Sequence, residues 1–517
     1  MEKVLALVGA GAASVAFLDS FLNNLEDRGS NNYTIYIVEK NTTFGPGQAY
    51  NEDLASNILN TKTGFITVFP EKKSDFHEWL HKYPEAWQWK YPDFVADKDT
   101  YAPRPLFGQY LQFAFSKVVS RAVRCGVKVI PVNAEVTDLH PLPKGYVVET
   151  ACRIEIRADY TFLLCGTLEN AKRDTPKMRS GVIANPYPLT KLTHWMDPEA
   201  SVAIIGSRLS AIDAIIALKE AGHRGRIVMH SRSGYFPAVR GTQGRFNTKY
   251  LSSEYLDQIT HRRGTLTLKD LAEMVQGDIE FFHEQFPDHP REAIRVPAPV
   301  SDLTNFLETE LKLAQHPRAW QAVLYATNAI IERLWDMLAP DAREVFWSNY
   351  VSMFLSYRVS IPSENAEKIL RYLRRGDLFF KRGPMEIEKL EDGSVTVITD
   401  DDNEVERYDY AILSTGSPKQ FSQSNSTLLA SLEAKGVILP HPLGGLDIDW
   451  TTYKVLNSQR KPSPRLYALG EVTSGKFFFT SALDIICRHA HDCAYRFCLE
   501  HLHQGQHSNE GSHAASG

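Results

Sequence analysis

Disulfide chemistry has little to work with in this chain: six cysteines occur in 517 residues, at 125, 152, 165, 487, 493 and 498, and no two form a C-x-x-C. That spacing argues against a zinc ribbon or a disulfide reductase and for thiols kept reduced in a cytoplasm. No uninterrupted apolar stretch is long enough to cross a bilayer. Glu2 spoils the basic segment that a secretion signal would need, and the apolar run after it reads as strand and helix. The net charge of −5 offers no global attraction to nucleic acid or anionic lipid. No repeat of solenoid length is visible. What is present is ordinary for a globular protein, 43% hydrophobic and 23% charged residues, with length for two or three domains that each bury a core.

Against that background the first fifty residues stand out. Val4-Leu5-Ala6-Leu7-Val8 reads as a buried parallel strand and runs into Gly9-Ala10-Gly11-Ala12-Ala13-Ser14. A helix follows, with Leu18, Phe21, Leu22 and Leu25 at helical spacing, and residues 33–38 read as a second strand ending at Glu39-Lys40. Each part of a G-x-G-x-x-S turn has a mechanical job. Gly9 permits the tight turn, Gly11 lets the backbone approach a pyrophosphate, and the small Ala12, Ala13 and Ser14 let helix and strand pack closely while the helix N-terminus faces the phosphates. Glu39 is an acceptor suited to adenosine ribose hydroxyls. The loop Phe44-Gly45-Pro46-Gly47-Gln48-Ala49-Tyr50 would lie over the pyrophosphate. Further strands are expected at residues 127–130 and 134–136 and in a hairpin at 146–157. Residues 162–167 form an apolar strand ending at Gly166, where backbone and ligand can come close.

The pattern returns at Val202-Ala203-Ile204-Ile205-Gly206-Ser207-Arg208, with Ser231-Arg232 where Glu39 stood in the first copy. A basic and hydroxyl pair there suits the 2′-phosphate of NADP. Arg208 occupies the place of the second glycine: it contacts a phosphate itself, or this nucleotide fold binds nothing. Residues 302–315, 318–338, 341–357 and 364–375 read as helices, with Trp320, Trp335 and Trp347 as core. Strands follow at 385–390 and 394–399 around an Asp-Gly hairpin signal, and residues 410–416 repeat the strand ending in glycine, at Gly416. Near the end, the strand at 465–469 runs into Gly470-Glu471 and a helix starts near Ser481. Such a carboxylate can hold ribityl hydroxyls, and such a helix start can face a flavin carbonyl. His501, His503, His507 and His513 fall in a Gly/Ser/His-rich tail read as a disordered end, not a metal site.

Together these motifs resemble the flavoprotein family with two dinucleotide-binding domains, in particular its FAD-dependent urate hydroxylase-like members. The likeness to the N-hydroxylating and Baeyer–Villiger monooxygenases is more distant, and the fingerprint Phe-x-Gly-x-x-x-His of the latter is absent. The resemblance implies an α/β fold of two Rossmann-like domains. Residues 1–170 and 417–500 would bind FAD, 171–240 and 377–416 would bind NAD(P)H, 241–376 would be a helical insertion covering a substrate cavity, and 501–517 a tail. It also implies roles: Val136 at the adenine, Gln48 and Asn60 near the isoalloxazine. The expected activity is an FAD-dependent monooxygenase using NADPH, or NADH, and molecular oxygen on a small molecule, through a flavin C4a-(hydro)peroxide. Asn60 would hydrogen-bond that group; Arg104 and Arg240 would orient an anionic or polar substrate. No metal, nucleic acid or membrane partner is expected. The alternatives are a flavin oxidase or reductase that does not oxygenate, and a nucleotide-binding protein without turnover.

Overall fold

In a computed structural model of the chain, residues 2–26, 32–169, 181–292, 297–399, 404–418 and 420–502 are described. They form two compact units: Met1–Ala55, Thr61–Ala171 and Pro418–Gly517 make the first, Ser56–Asn60 and Lys172–Ser417 the second.

The first unit is built on a six-stranded sheet in the order Lys454–Leu456, Pro462–Ala468, Tyr160–Leu163, Lys3–Val8, Tyr33–Glu39, Lys128–Asn133. All neighbours are parallel except the edge strand Lys454–Leu456. The strands read as near-continuous apolar runs because both faces of the inner ones are covered. Phe162 shows one of those faces: its ring lies 4.6 Å from Phe17 of the first helix (Ala12–Glu26), 5.3 Å from Phe497 of the last helix (Leu483–Leu502) and 4.8 Å from Tyr467 of the next strand. The two ends of the chain thus share one core. A three-stranded antiparallel sheet, Val136–Leu142, Gly145–Thr150 and Glu155–Ala158, stands beside it.

The second unit repeats this plan. Its parallel sheet runs Leu378–Arg382, Ile227–Ser231, Val202–Ile205, Tyr410–Leu413, Gly181–Ile183. Again a first strand, helix (Leu209–Glu220) and second strand are followed by a third strand, an antiparallel three-stranded sheet (Met385–Lys389, Val395–Thr399, Glu404–Tyr408) and a closing strand beside the first. The expected Asp-Gly hairpin is the first half of that small sheet. Between second and third strands lies a block of helices.

There the structure differs from the periodicity in detail. Two helices, Ser253–Arg263 and Leu268–Gln285, fall in the stretch read as helical but given no bounds of their own; the second starts with a capping box between Thr267 and Asp270. The helix expected at 318–338 is broken into Ala319–Ala326, a 3₁₀ turn Thr327–Ala329 and Ile331–Met337. Thr327 is responsible in part, since its hydroxyl donates to the Leu324 carbonyl, a local bond that competes with the helix ladder. The helix expected at 341–357 is Pro340–Val345 and Val351–Arg358 joined by a π turn, Phe346–Tyr350. Of the three tryptophans read as core, Trp335 is buried, whereas Trp320 and Trp347 are half-buried. His501 belongs to the last helix, its ring nitrogens bonded to the hydroxyls of Tyr160 (3.3 Å) and Tyr467 (3.1 Å). That makes it part of the core and not of a tail; His503, His507 and His513 lie outside the described residues.

Candidate functional site: two nucleotide turns

Each parallel sheet ends in the same turn. In the first unit the Gly9 N–H donates to the Val38 carbonyl at 2.8 Å and the Leu164 N–H to the Val8 carbonyl at 2.9 Å, which pins the turn between two neighbouring strands. Gly9 has φ +110°, and a Cβ there would come within 2.9 Å of the Leu164 carbonyl carbon. Glycine is therefore required at this position by the protein itself. Gly11 is different. Its φ is ordinary, and a Cβ would meet Gly47 at ordinary contact distance, Cα at 3.6 Å and N at 3.9 Å. The 44–50 loop comes down onto the turn at that point, held by the Gly45 N–H on the Ala10 carbonyl at 2.7 Å.

The helix start then offers what a pyrophosphate needs. Among the described residues, no protein acceptor meets the N–H groups of Gly11, Ala12 or Ala13, whereas Ser14 is tied to Gly9 by its hydroxyl (2.5 Å) and to Gly11 by its N–H (2.9 Å). Unpaired N–H groups at a helix N-terminus form an anion site. Glu39 closes the second strand and is buried. Its Oε2 accepts the Ala10 N–H at 2.9 Å, while Oε1 accepts the N–H and side-chain amide of Asn41 at 2.9 and 2.8 Å. A carboxylate has about four acceptor directions, so Oε2 keeps one for a ribose hydroxyl. These residues fit the adenosine and pyrophosphate of FAD.

Other first-unit candidates gather nearby. Cys165 and Gly166 follow the closing strand. Burial, and secondarily the Glu39 charge, pushes the Cys165 thiol up to about 12, so it is inert, and Gly166 (φ +70°) faces open space. Lys40 and Gln48 are brought together by a residue the sequence reading did not single out: Glu169 Oε1 accepts from Lys40 at 2.7 Å and from Gln48 at 3.2 Å. Val136 is buried at the start of its strand. Gly470 (φ +86°) and half-buried Glu471 follow Pro462–Ala468, two strands from Gly9 at the same sheet edge, with Glu471 Oε2 accepting from Thr480 at 3.3 Å. Ser481 is exposed, and the helix begins at Leu483. Arg104 opens the helix Arg104–Arg124, its charge felt by the Tyr50 hydroxyl. Asn60, half-buried, belongs to the second unit, as does Arg240. The surface group Asp138, His140 and Glu149 has ligand-type side chains within reach of one another, but Asp138 is already held by Ser431 and Lys435.

In the second unit the turn geometry recurs. The Gly206 N–H donates to the His230 carbonyl at 2.8 Å, the Ser414 N–H to the Ile205 carbonyl at 2.7 Å, and with φ +121° a Cβ on Gly206 would come within 2.9 Å of the Ser414 carbonyl carbon. Arg208, with φ −101°, fits the second position without strain. Its guanidinium donates to Ser352 at 3.2 Å, and Ser352 in turn to Ser233 at 3.2 Å. Burial, followed by the charge of Arg232, holds Arg208 below its usual proton affinity. The Ser231 hydroxyl bonds that of Ser207 at 2.8 Å and accepts the Gly234 N–H at 3.1 Å. Arg382, which the sequence reading missed, pairs in register with Ser231 and leans over Gly234, whose Cβ would lie 3.5 Å from its Cδ. The Ser414 hydroxyl is buried beside Gly206 with no hydrogen-bond partner among the described residues. Gly416 (φ +86°) faces open space, as Gly166 does. Three guanidiniums at one sheet end, with hydroxyls between them, fit a phosphorylated ribose where Glu39 in the first unit fits a plain one.

Comparisons with known proteins agree with these turns. Residues 6–168 match the FAD-NAD(P)-binding family. No curated protein matches the chain in sequence. Solved structures share its fold along nearly the whole length. The reduced form of the ornithine hydroxylase from Pseudomonas aeruginosa is 14% identical, with a TM-score of 0.56 over 97% of this chain and 100% of that one. The Kutzneria sp. 744 ornithine N-hydroxylase, a structure with reduced FAD, NADP+ and L-ornithine, is 15% identical, with a TM-score of 0.56 over 96% and 98%. The L-lysine 6-monooxygenase from Pseudomonas syringae is 14% identical, with a TM-score of 0.55 over 96% and 98%. The α/β fold with two turns of this geometry is thus one that these three enzymes share.

Proposed function

We propose that the protein is an FAD-dependent monooxygenase that takes reducing equivalents from NADPH and oxygenates a small organic molecule. One observation carries this reading: the same turn is built twice, once closed by an acid, Glu39, and once by arginines, Arg208, Arg232 and Arg382. Two turns of one geometry with opposite charge at the ribose end suit two different dinucleotides. The fold shared with the hydroxylases and the lysine monooxygenase supports the oxygenating rather than merely electron-carrying use of the pair.

In this reading the N–H groups of Gly11, Ala12 and Ala13 bind the pyrophosphate of FAD and Glu39 its ribose, with Gly470 and Glu471 at the ribityl chain. Arg232 and Arg382 bind the 2′-phosphate of NADPH, and Arg208 replaces with its guanidinium the backbone approach that a second glycine would allow. FAD, when bound, supplies the hydride acceptance and oxygen activation. The chain's own work is to hold both nucleotides and the substrate and to keep water out. Domain boundaries follow the two units, with 241–376 as the substrate-side insertion.

The test is anaerobic mixing of the FAD-loaded protein with NADPH and, separately, NADH, followed by admission of oxygen in the presence of candidate substrates and mass analysis of products. Flavin bleaching by NADPH, then a product heavier by one oxygen atom, is expected. Protein that takes up no FAD, or that reduces its flavin without any substrate gaining oxygen across a broad panel, refutes the proposal in favour of a binding protein or an oxidase, respectively.

A further inference from the structure

Within the helical block of the second unit, arginine side chains converge on one tyrosine. Arg240 follows a short extended segment whose backbone is bridged to residues 359–361: its N–H donates to the Ile361 carbonyl, and the Ile361 N–H to that of Ala238, both at 2.9 Å. The Arg240 guanidinium lies 4.4 Å from the centre of the Tyr325 ring, and Nε donates to Ser360 Oγ at 3.2 Å. The Tyr325 hydroxyl is bonded to the same Ser360 oxygen, which is fully buried. Arg358, itself buried, places its guanidinium 4.8 Å from the same ring and donates to the Asn328 side chain. The two positive charges are therefore no more than about 9 Å apart, and the hydroxyl and amide partners just named are neutral.

The acids close by are committed elsewhere. Glu310 takes Arg318 on both oxygens (2.6 and 3.0 Å) and the Val239 N–H (2.8 Å), and Glu292 takes Arg318 and the Trp320 indole. Arg240, one residue beyond Val239, is left with a hydroxyl and a ring. Its plane is fixed by both, and the outer edge of its guanidinium, with Nη1 and Nη2, engages no protein group among the described residues. A guanidinium held flat, half-buried and with its fork free is pre-organised for a bidentate anion.

We infer that Arg240, with Arg358 and the Tyr325–Ser360 pair behind it, is a binding site for the carboxylate of an organic acid. As a statement about the substrate it rests on the monooxygenase reading; as a statement about an anion site it does not. A planar carboxylate matches one flat fork, whereas a tetrahedral phosphate is better served by the three arginines around Ser231. In this site Arg240 makes the two parallel hydrogen bonds, and Ser360 and Tyr325 are positioning residues.

The experiment titrates the FAD-loaded protein with sodium benzoate, with benzamide as the neutral isostere and inorganic phosphate as the tetrahedral anion, by calorimetry. Benzoate is expected to bind saturably, more tightly than benzamide and without displacement by an equal concentration of phosphate, with Arg240→Gln weakening it tenfold or more and Arg240→Lys less. Independently of any variant, benzoate should protect Arg240 from phenylglyoxal in peptide mapping. Equal binding of benzamide, displacement of bound benzoate by phosphate at a lower concentration than benzoate itself needs, no benzoate binding, or benzoate binding unchanged by Arg240→Gln overturns the site. Should that variant fail to fold, absence of protection at Arg240 in the unmodified chain overturns it equally. FAD uptake by the same preparation reports the proposed function separately: a yellow protein indifferent to benzoate loses only the anion site, and a colourless one that binds it loses only the flavin.

Discussion

Alanine at Gly11 and alanine at Gly9 look alike in sequence and should behave oppositely. At Gly11 the added methyl meets Gly47 at ordinary contact distance, Cα at 3.6 Å and N at 3.9 Å, and the backbone is not left-handed. The folded chain accommodates it, and loss of glycine's unfolded-state entropy raises apoprotein stability by about 0.4–1 kcal/mol. At Gly9 the methyl falls against the Leu164 carbonyl, on a strand end fixed by the Leu164 N–H to Val8 bond, and φ is +110°. Backbone strain of about 1–3 kcal/mol and overpacking of about 1–3 kcal/mol both apply there. For FAD the order is different. In the proposed binding mode the Gly11 methyl stands where the pyrophosphate approaches, and displacing it from two N–H donors removes charge-assisted bonds of about 1.5–3 kcal/mol each, a hundredfold or more in affinity. Thermal melts of the apoproteins and fluorescence titration with FAD separate the two: Gly11→Ala melts at or above the wild type and binds FAD at least a hundredfold more weakly, whereas Gly9→Ala melts several degrees lower. Wild-type FAD affinity in Gly11→Ala would remove the pyrophosphate from this turn. A melt lowered as far as that of Gly9→Ala would refute the packing argument.

Three further outcomes are expected. Arg232→Ala and Arg382→Ala should each weaken NADPH by about 2 kcal/mol, some thirtyfold, while leaving NADH within a few fold, measured by flavin reduction at varied nucleotide concentration; equal losses for both nucleotides would remove the 2′-phosphate assignment. His230 is buried, which brings its pKa from 6.5 to about 4. The unfolded chain therefore takes up a proton below pH 6.5 that the folded chain refuses until about pH 4, so stability is lost as pH falls through that window, by about 3 kcal/mol from this group. His230→Phe should flatten that part of a pH series of urea midpoints, and an unchanged slope would count against it. Arg318→Met strands buried Glu310 and should cost about 3–5 kcal/mol in urea unfolding, whereas Arg374→Met, which breaks only an exposed pair with Glu308, should cost less than about 1 kcal/mol.

What could be read from the sequence was whatever the chain writes locally. Both strand–turn–helix units, the closing strands before Gly166 and Gly416, and the Asp-Gly hairpin each lie within a few dozen residues, where spacing and turn chemistry decide the conformation. Arg382 escaped because nothing local marks it: only the parallel register with Ser231, across the whole helical block, sets it beside Gly234. Ser352 and Glu169 escaped for the same reason, each meeting its partners across a long separation in sequence. The helix beginning at Leu268 is another matter, since its Thr267–Asp270 capping box was there to be read. The breaks at Thr327–Ala329 and Phe346–Tyr350 sit inside unbroken apolar periodicity, which fixes a buried face without fixing the ladder beneath it.

The replacement of the second glycine by Arg208 gains its meaning from the first unit. If the second turn were a relic that binds nothing, the constraints specific to a ligand would be free to relax together with those of the fold. The fold's constraint, the left-handed Gly206 against the Ser414 carbonyl, is intact and would be kept by either account. The charges favour the proposed binding account. Arg208 and Arg232 repel one another, Arg382 is brought to the same edge by strand register, and a structure with nothing to bind gains no stability from collecting them. In the first unit, the corresponding position carries an acid whose oxygens are turned back onto the turn. Opposite charge at the ribose end of one scaffold suits an adenosine ribose with free hydroxyls in one unit and one carrying a 2′-phosphate in the other, and the position of Arg208, on the helix start where Gly11 stands in the first unit, is where a side chain can substitute for the lost backbone contact to phosphate.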